Sequence, residues 1–240
     1  MTDCGRAREF DLFRCAANYM IVLLHAWGAA CQYCDQSSFE SMTCAFFADK
    51  CCNVALAALF LISGHLLFRN YYDMSAWTRK MGNRMRRLFV PYVCWNLVFV
   101  SFYLAVGRLF PRVGQRVSGF GLDTFTGAVS KILHPFVQPI DVPLWFVRTI
   151  FVFALVSPVM WVALRRKRGR WIGLWAVTAY FLATDLFRLL PGVPGYSGTA
   201  LFLFYLGGLL MVCGRTIRDV FESRWWIVPG VVGFGLDLCD

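Results

Sequence analysis

The sequence predicts an all-α protein of the membrane: a polytopic transmembrane helix bundle of about seven spans with a cytoplasmic N-terminus. Of the 240 residues, 58% are hydrophobic and only 16% are charged, and the mean hydropathy is +0.56. In a soluble domain the apolar share is about half and the charged share about a quarter. The apolar residues also form runs of about 20, the length that a helix needs to cross a hydrocarbon core.

Seven runs have this length or approach it. They cover about Arg14–Cys31, Phe47–Phe68, Leu88–Phe110, Leu144–Leu164, Trp171–Leu189, Gly198–Cys213 and Trp225–Leu238. The sixth run is short, and the seventh is rich in glycine and stops at the chain end. We therefore expect residues 1–240 to form a single membrane domain that is incomplete at its C-terminus.

Lysines and arginines predict the orientation, because short loops that carry them are retained on the cytoplasmic side. With the N-terminus inside, seventeen of the 24 basic residues fall in cytoplasmic segments and seven elsewhere. The net charge of +10 then indicates attraction to anionic membrane lipids or anionic cytosolic ligands. The sequence lacks a soluble basic face with interleaved aromatic residues, so we expect no nucleic-acid partner. A cleavable signal is disfavoured because Asn18 and His25 interrupt the first apolar run.

Half of the ten cysteines fall in or beside the first non-cytoplasmic loop. They are Cys31, Cys34, Cys44, Cys51 and Cys52. An oxidising compartment would allow a disulfide among them, and the pairing stays open, as does the alternative that they are inert apolar residues. The adjacent Cys51 and Cys52 suit a tetrahedral zinc site poorly, so we expect no metal.

The longest stretch without a predicted span is Pro111–Pro143, an outer loop rich in glycine and proline. It is long enough to contain a short amphipathic helix around Asp123–Leu133. Loops of this length are commonly lids or binding loops, and a simple connector is the alternative.

The polar residues of the predicted spans fall into two layers. The layer near the cytoplasmic surface contains Arg14, Ser63, His65, Arg69, Arg84 and Arg87. The layer toward the outer surface contains His25, Trp145, Arg148, Asp185 and Arg188. The inner layer is cationic and suits a phosphate-rich ligand that approaches from the cytosol, because arginine forks match phosphate oxygens. Arg84 and Arg87 can also be read as simple determinants of topology.

His25 is the strongest candidate for chemistry. Eleven positions separate it from Arg14, almost three full turns, so both side chains leave one helix face roughly 16 Å apart. A titratable ring at membrane depth indicates a functional site, although a neighbouring helix carbonyl could satisfy a merely structural imidazole. A neutral imidazole is suited to removing a proton from an attacking hydroxyl. Arg148 and Asp185 could orient His25, or pair with each other or with Arg188.

Four segments carry a family resemblance. They are Asp11–Arg14 through His25, Phe60–His65 (FLISGH), Arg84–Trp95 (RMRRLFVPYVCW) and Pro143–Phe146 (PLWF). In this order they resemble the first-helix signature, the aromatic-rich SG segment, the basic loop leading into an RLxxPYxxW-like helix, and the LWF segment of the acyltransferase 3 family. Members of that family are membrane proteins that move acyl groups onto glycans, lipids and other exported acceptors.

The resemblance implies a membrane O-acyltransferase that takes an acyl group, acetyl above all, from cytosolic acyl-CoA and transfers it to a hydroxyl of a surface or exported carbohydrate or glycolipid. It implies His25 as the essential histidine, Arg14 as its partner, and Arg84 and Arg87 at the CoA phosphates. We expect Arg69 to join the donor-binding residues. We also expect supporting roles for Ser63, His65, Trp145, Arg148 and Asp185. Of these, Ser63 and Trp145 are the candidate oxyanion donors. Acyl-CoA is then a co-substrate, with no permanently bound cofactor, and the location is the plasma (inner) membrane of a bacterium.

Two departures keep alternatives open. Family members usually have about ten spans where this chain has seven at most, and His65 stands where an aromatic residue is more common. An inactive truncated relative is therefore one alternative. The other is a non-catalytic transporter or flippase that moves a glycan, lipid or anion past the same polar layers, a function that broken helices in paired positions would favour.

Overall fold

The computed structural model describes residues 12, 15–23, 26–27, 52–69, 73–110, 125–133, 144–192 and 196–215. Within these ranges all regular structure is helical, which confirms the all-α class. Residues 15–23 are helical. Seven further helices follow in chain order: α1 (Cys52–Phe68), α2 (Met74–Arg84), α3 (Val90–Leu109), α4 (Phe125–Leu133), α5 (Trp145–Leu164), α6 (Lys167–Phe181) and α7 (Gly198–Val212).

Two of the described helices are long and apolar enough to cross a membrane. One is the continuous helix Met74–Leu109, and the other is α5. The apolar helices Val54–Phe68 and Gly198–Val212 are shorter. The first predicted span is described only in part, and the seventh lies outside the described residues. The count of seven spans and the cytoplasmic N-terminus therefore stay predictions.

The helix that contains the third predicted span begins before that span, at Met74. A π-helical turn, Met85–Phe89, joins α2 to α3 without a break, so the basic segment RMRR is helical and the prediction of a loop there was wrong. Pro91 explains the wider turn: it has no N–H for the Arg87 carbonyl and its ring would collide with that carbonyl in a regular helix. The Val90 N–H bonds to the Met85 carbonyl instead, five residues back.

Helix α2 starts at a conventional cap. The Asp73 side chain accepts a hydrogen bond from the Ala76 backbone N–H at 2.8 Å and another from the Ser75 hydroxyl at 2.9 Å. The backbone bond above all lowers the pKa of the Asp73 carboxyl, because both donors favour its charged form. The short connection from α1 to α2 is thus followed by a defined helix start.

Helices α1 and α7 pack backbone against backbone. A Cβ atom at Gly64 would lie 2.0 Å from the Phe204 carbonyl oxygen, and one at Gly207 would lie 2.0 Å from the Leu61 carbonyl oxygen. Only glycine permits this approach, which is typical of helix pairs in membranes. The Gly64 of the FLISGH segment therefore has a packing role.

The main core lies where α5 meets this pair. Phe204 and Ala154 are fully buried, and Phe68 and Phe153 nearly so. The Phe204 ring lies 5.2 Å from Phe153 and 6.3 Å from Phe68, measured between ring centroids. Aromatic side chains at these separations contribute more than their buried area alone. Helices α1, α5 and α7 thus form a packed unit to which the other elements attach.

Candidate active site

The first helical segment packs against two helices of the core. Ala17 is 2% exposed and forms a cluster with Ala55 and Leu59 of α1, joined by Ile21 and by Phe146 of α5. Arg14 and His25, the predicted catalytic pair, lie outside the described residues. The segment that carries the pair in sequence is nevertheless attached to the bundle through its described side chains.

The FLISGH and PLWF segments meet in space. Phe60 of α1 lies 4.8 Å from Phe146 in an edge-on arrangement and 6.0 Å from Trp145, measured between ring centroids. Phe146 also belongs to the cluster that holds the first helical segment. Three of the four segments that carry the resemblance are therefore brought together by one group of aromatic and small apolar side chains. Their distant positions in the sequence did not by themselves predict this contact.

Ser63 and His65 lie on α1 beside the crossing with α7, and both are half-buried. A Cβ atom at Gly207 would lie 2.9 Å from the His65 backbone nitrogen, so α7 covers this part of α1 closely. The His65 Nδ1 atom is buried. The backbone of Arg69, one turn on, donates to the His65 carbonyl at 3.2 Å. His65 and Arg69, both predicted to lie near the cytoplasmic surface, are thus one helical turn apart at the end of α1.

Lys80 of α2, for which the sequence predicts no role in the site, lies among the inner cations. The Lys80 ammonium group donates to the backbone carbonyls of Leu67 and Arg69 at the end of α1, where a cation complements the helix dipole. The charges of Arg84, Arg79 and Arg69 all act on Lys80. Arg69 and Arg84, two predicted donor-binding residues, therefore both lie within electrostatic reach of Lys80. Lys80 was missed because α2 was not predicted as a helix.

Arg84 and Arg87 differ in their surroundings. Arg84 is half-buried at the end of α2, and Arg87 is exposed in the π-helical turn. Phe89, at the end of the same turn, stacks on Phe151 of α5 with centroids 4.9 Å apart. This stacking anchors the basic turn to the bundle, so its exposed guanidinium groups project from a supported segment. Such a segment can present forked donors to a polyanion.

Arg148 is buried, with 5% of its surface exposed. Its guanidinium carbon lies 5.5 Å from the ring centroid of Tyr196, a cation–π arrangement. It also lines a cavity of about 220 Å³ together with side chains of α3, α4 and α5. The predicted outer-layer arginine is therefore inside the bundle, on the side of α5 that faces α3.

Asp185 caps α7. Its carboxylate accepts hydrogen bonds from the backbone N–H groups of Gly198 at 2.9 Å and Thr199 at 2.8 Å. The hydroxyls of Ser197, Thr199 and Thr184 donate to it at 2.6, 2.8 and 2.8 Å. A carboxylate at a helix N-terminus satisfies open donors and complements the dipole. Through these contacts Asp185, which belongs to the π-helical turn Leu182–Leu186, joins that turn to the start of α7.

Comparison with known proteins gives one match. The sequence model of a family described as an acyltransferase domain, Acyl_transf_3, matches residues 8–237, nearly the whole chain. No curated protein and no solved structure matches the sequence. The match extends over all four segments that resemble the family, including those joined by Phe60, Trp145 and Phe146. The chain therefore belongs to the acyltransferase 3 family of membrane acyltransferases.

Proposed function

We propose that this protein is a membrane O-acyltransferase of the bacterial plasma membrane. In this proposal it takes an acyl group, acetyl above all, from cytosolic acyl-CoA and transfers it to a hydroxyl of an exported or surface carbohydrate or glycolipid. Membership of the family supports acyl transfer.

One packing contact supports it most directly. In the sequence, Arg14 precedes Ala17 by three positions and His25 follows Ile21 by four, so the helical period predicts these four residues on one face. Ala17 and Ile21 are the described members of that face, and both pack against α1 and α5. Leu12, Tyr19 and Val22 are 74%, 66% and 63% exposed. The described members of this face are thus turned toward the bundle, and this supports the proposed roles of Arg14 and His25.

The proposed chemistry has His25 as general base. Its imidazole takes the proton of the acceptor hydroxyl while the hydroxyl oxygen forms a bond to the thioester carbonyl carbon. Ser63 or Trp145 donates a hydrogen bond to the resulting oxyanion. The carbon–sulfur bond then breaks, and the CoA thiolate takes the proton from the imidazolium. An ester and CoA thiol leave, and the imidazole is neutral again.

The inner cations hold the donor in this proposal. Arg14, Arg69, Arg84 and Arg87 bind the phosphates of acyl-CoA. Two of these four arginines, Arg69 and Arg84, lie near Lys80 at the ends of α1 and α2, and we add this lysine to the set. A cluster of cations at one end of the bundle suits a ligand with several phosphate groups that arrives from the cytosol.

The test is expression in cells that lack their own glycan acylation, with mass spectrometry of the surface polymer. The wild-type chain is expected to add acyl mass. His25→Ala is expected to lower the added mass by about 10²- to 10⁴-fold, the usual contribution of a general base. His134→Ala, which changes a histidine of the outer loop, serves as the matched control and is expected to retain modification.

Unchanged acylation by His25→Ala at equal protein level would contradict the catalytic role of this residue. No added acyl mass on the polymer, on extracted glycolipids or on other exported acceptors with the wild-type chain would contradict the proposed activity itself. Incubation with labelled acyl-CoA alone, followed by rapid denaturation at neutral pH and immediate analysis, separates the two routes that a histidine allows. Label retained on His25 would indicate a transient acyl-histidine, and its absence with active protein would indicate direct attack.

A further inference from the structure

A strongly basic junction, residues 165–170, connects α5 to α6. Helix α5 is one of the two described helices that are long and apolar enough to cross a membrane, and it ends at Leu164. Five of the next six residues are cations: Arg165, Arg166, Lys167, Arg168 and Arg170. Because the end of a spanning helix lies at the level of the lipid headgroups, the junction lies there too.

Close contacts hold the junction in position. A Cβ atom at Gly169 would lie 2.5 Å from the Ala163 carbonyl oxygen, so glycine is required for this approach. The Arg170 Nε–H donates to the Leu164 carbonyl at 2.7 Å. The Tyr205 hydroxyl of α7 donates to the Arg170 carbonyl at 3.2 Å. The Arg170 guanidinium is therefore anchored through one nitrogen, and its two terminal nitrogens remain able to donate.

The positive charge of the junction is not offset within the described part of the chain. Residues 165–168 are all exposed, and their side chains have no hydrogen-bond or ion-pair partner there. The two carboxylate residues of the described ranges, Asp73 and Asp185, cap α2 and α7 instead. Positive charge of this density at a membrane surface attracts anions.

The exposed face of α6 continues from these cations into aromatic side chains. Lys167, Trp171 and Trp175 follow one another at intervals of one turn and share a face. The two tryptophans are 64% and 71% exposed, and they lie about 6 and 12 Å further along the axis than Lys167. Neither indole N–H has an acceptor among the described residues. Exposed indoles of this kind suit the boundary between lipid heads and lipid chains.

We propose that the α5–α6 junction binds an anionic phospholipid, with its phosphate head at the cations of the junction and its chains along Trp171 and Trp175. The order of cation and indole along α6 matches the order of phosphate and chain in a phospholipid. A soluble polyanion would contact the cations alone and would leave the aromatic face without a role. Several cations on one turn favour a head with more than one phosphate group, as in cardiolipin. The site lies apart from the residues proposed for acyl transfer and does not depend on that reaction.

The first test measures lipid binding to the purified full chain in detergent by native mass spectrometry. Cardiolipin and phosphatidylglycerol are expected to bind about tenfold or more tightly than phosphatidylcholine with the same chains. Lys167→Gln combined with Arg168→Gln should remove most of this preference. Arg108→Gln combined with Arg188→Gln removes two other exposed cations and should leave the preference unchanged.

The second test locates the lipid chains. Phosphatidylglycerol with brominated chains, as a minor component of phosphatidylcholine nanodiscs, quenches the fluorescence of tryptophans that it contacts. Its quenching is expected to exceed that of brominated phosphatidylcholine at the same fraction. The excess should fall in Trp171→Phe and fall further when Trp175→Phe is added. It should persist in Trp95→Phe, which removes an indole that is 55% exposed on α3.

Equal affinity of the wild-type chain for anionic lipids and phosphatidylcholine would overturn the proposal, as would equal losses in the two double charge variants. Excess quenching that persists without Trp171 and Trp175 would do the same. Pyrophosphate is expected to displace the lipid poorly, and displacement as effective as that by excess cardiolipin would assign the cations to a soluble polyanion instead. The charge and tryptophan variants are separate routes to the answer, so misfolding of one leaves the other decisive. Neither readout uses acyl transfer, so failure here is distinct from failure of the proposed activity.

Discussion

The Trp77 indole N–H donates a hydrogen bond to the Ala154 carbonyl at 3.1 Å, a carbonyl that Pro158 leaves without its helical donor. Pro158 lies inside α5 and has no N–H to offer four residues back. The Ser157 hydroxyl also donates to this oxygen, at 2.7 Å. Trp77 and Ser157 thus replace the lost bond, and Trp77 at the same time ties α2 to the middle of α5.

Trp77→Phe is expected to destabilise the protein by about 1–3 kcal/mol, because a buried carbonyl loses one of its donors. In a Pro158→Ala background the loss should be smaller, since an alanine N–H can restore the helical bond. Unfolding by denaturant in detergent, run as a double-mutant cycle, measures the difference. Trp175→Phe, at a position 71% exposed, is the control and should change stability by no more than about 0.5 kcal/mol. Equal losses in both backgrounds would contradict the assignment.

Gly64→Ala and Gly82→Ala should have opposite effects. The methyl group at position 64 would lie 2.0 Å from the Phe204 carbonyl oxygen, while at position 82 nothing lies within 4 Å. Forcing α1 and α7 apart should lower the free energy of unfolding by about 1–3 kcal/mol or more. Alanine at the exposed position 82 of α2 should raise the free energy of unfolding by about 0.5–1 kcal/mol. Thermal unfolding followed by circular dichroism gives both signs. A neutral Gly64→Ala would show that the two helices do not approach this closely.

Asp185→Ala is expected to destabilise α7 by about 2 kcal/mol, because two backbone N–H groups and three hydroxyls lose their acceptor. Asp185→Asn keeps one carbonyl oxygen and should lose less. Hydrogen exchange of the amides of Gly198 and Thr199 is the readout that a purely catalytic residue would not change. Normal protection in Asp185→Ala together with lost acyl transfer would instead favour the supporting catalytic role that the sequence suggested.

Replacing Arg84 and Arg87 together with glutamine is expected to raise the KM for acetyl-CoA at least about tenfold, since each charged hydrogen bond to phosphate contributes about 1.5–3 kcal/mol. The kcat should change much less, because these groups are proposed to bind remote phosphates. Arg86→Gln, in the same π-helical turn, is the matched control, with a change of about twofold or less. A fall in kcat at constant KM would place the two arginines at the reacting groups.

Several elements could be predicted closely because their signals are local. The fourth predicted span, Leu144–Leu164, appears as α5 over Trp145–Leu164, and the loop helix expected at Asp123–Leu133 appears as α4 over Phe125–Leu133. Apolar run length and helical spacing are properties of neighbouring residues, so they can be recognised without a fold. Helix α2 was missed because its polar sequence, which includes Arg79 and Lys80, has no apolar run to recognise.

The partners of the polar residues could not be predicted in the same way. Asp185 was considered as a partner of His25, Arg148 or Arg188, and the structure gives it the start of α7, twelve to fourteen residues on. The sequence predicts no individual role for Lys80, and the structure shows that its ammonium group caps the end of α1. Which charge meets which helix end depends on how the helices cross, and helix crossing is a long-range property of packing.

The sequence alone determines the helical class and the strong apolar character of the chain. It also contains the four ordered segments of the acyltransferase 3 family and the candidate catalytic histidine. Each of these features depends on short stretches of neighbouring residues. Folding in three dimensions adds the close glycine crossing of α1 and α7, the aromatic contact that joins three of the motifs, and the cavity beside Arg148. These arise from residues far apart in the chain, whose meeting depends on the shape of every helix between them.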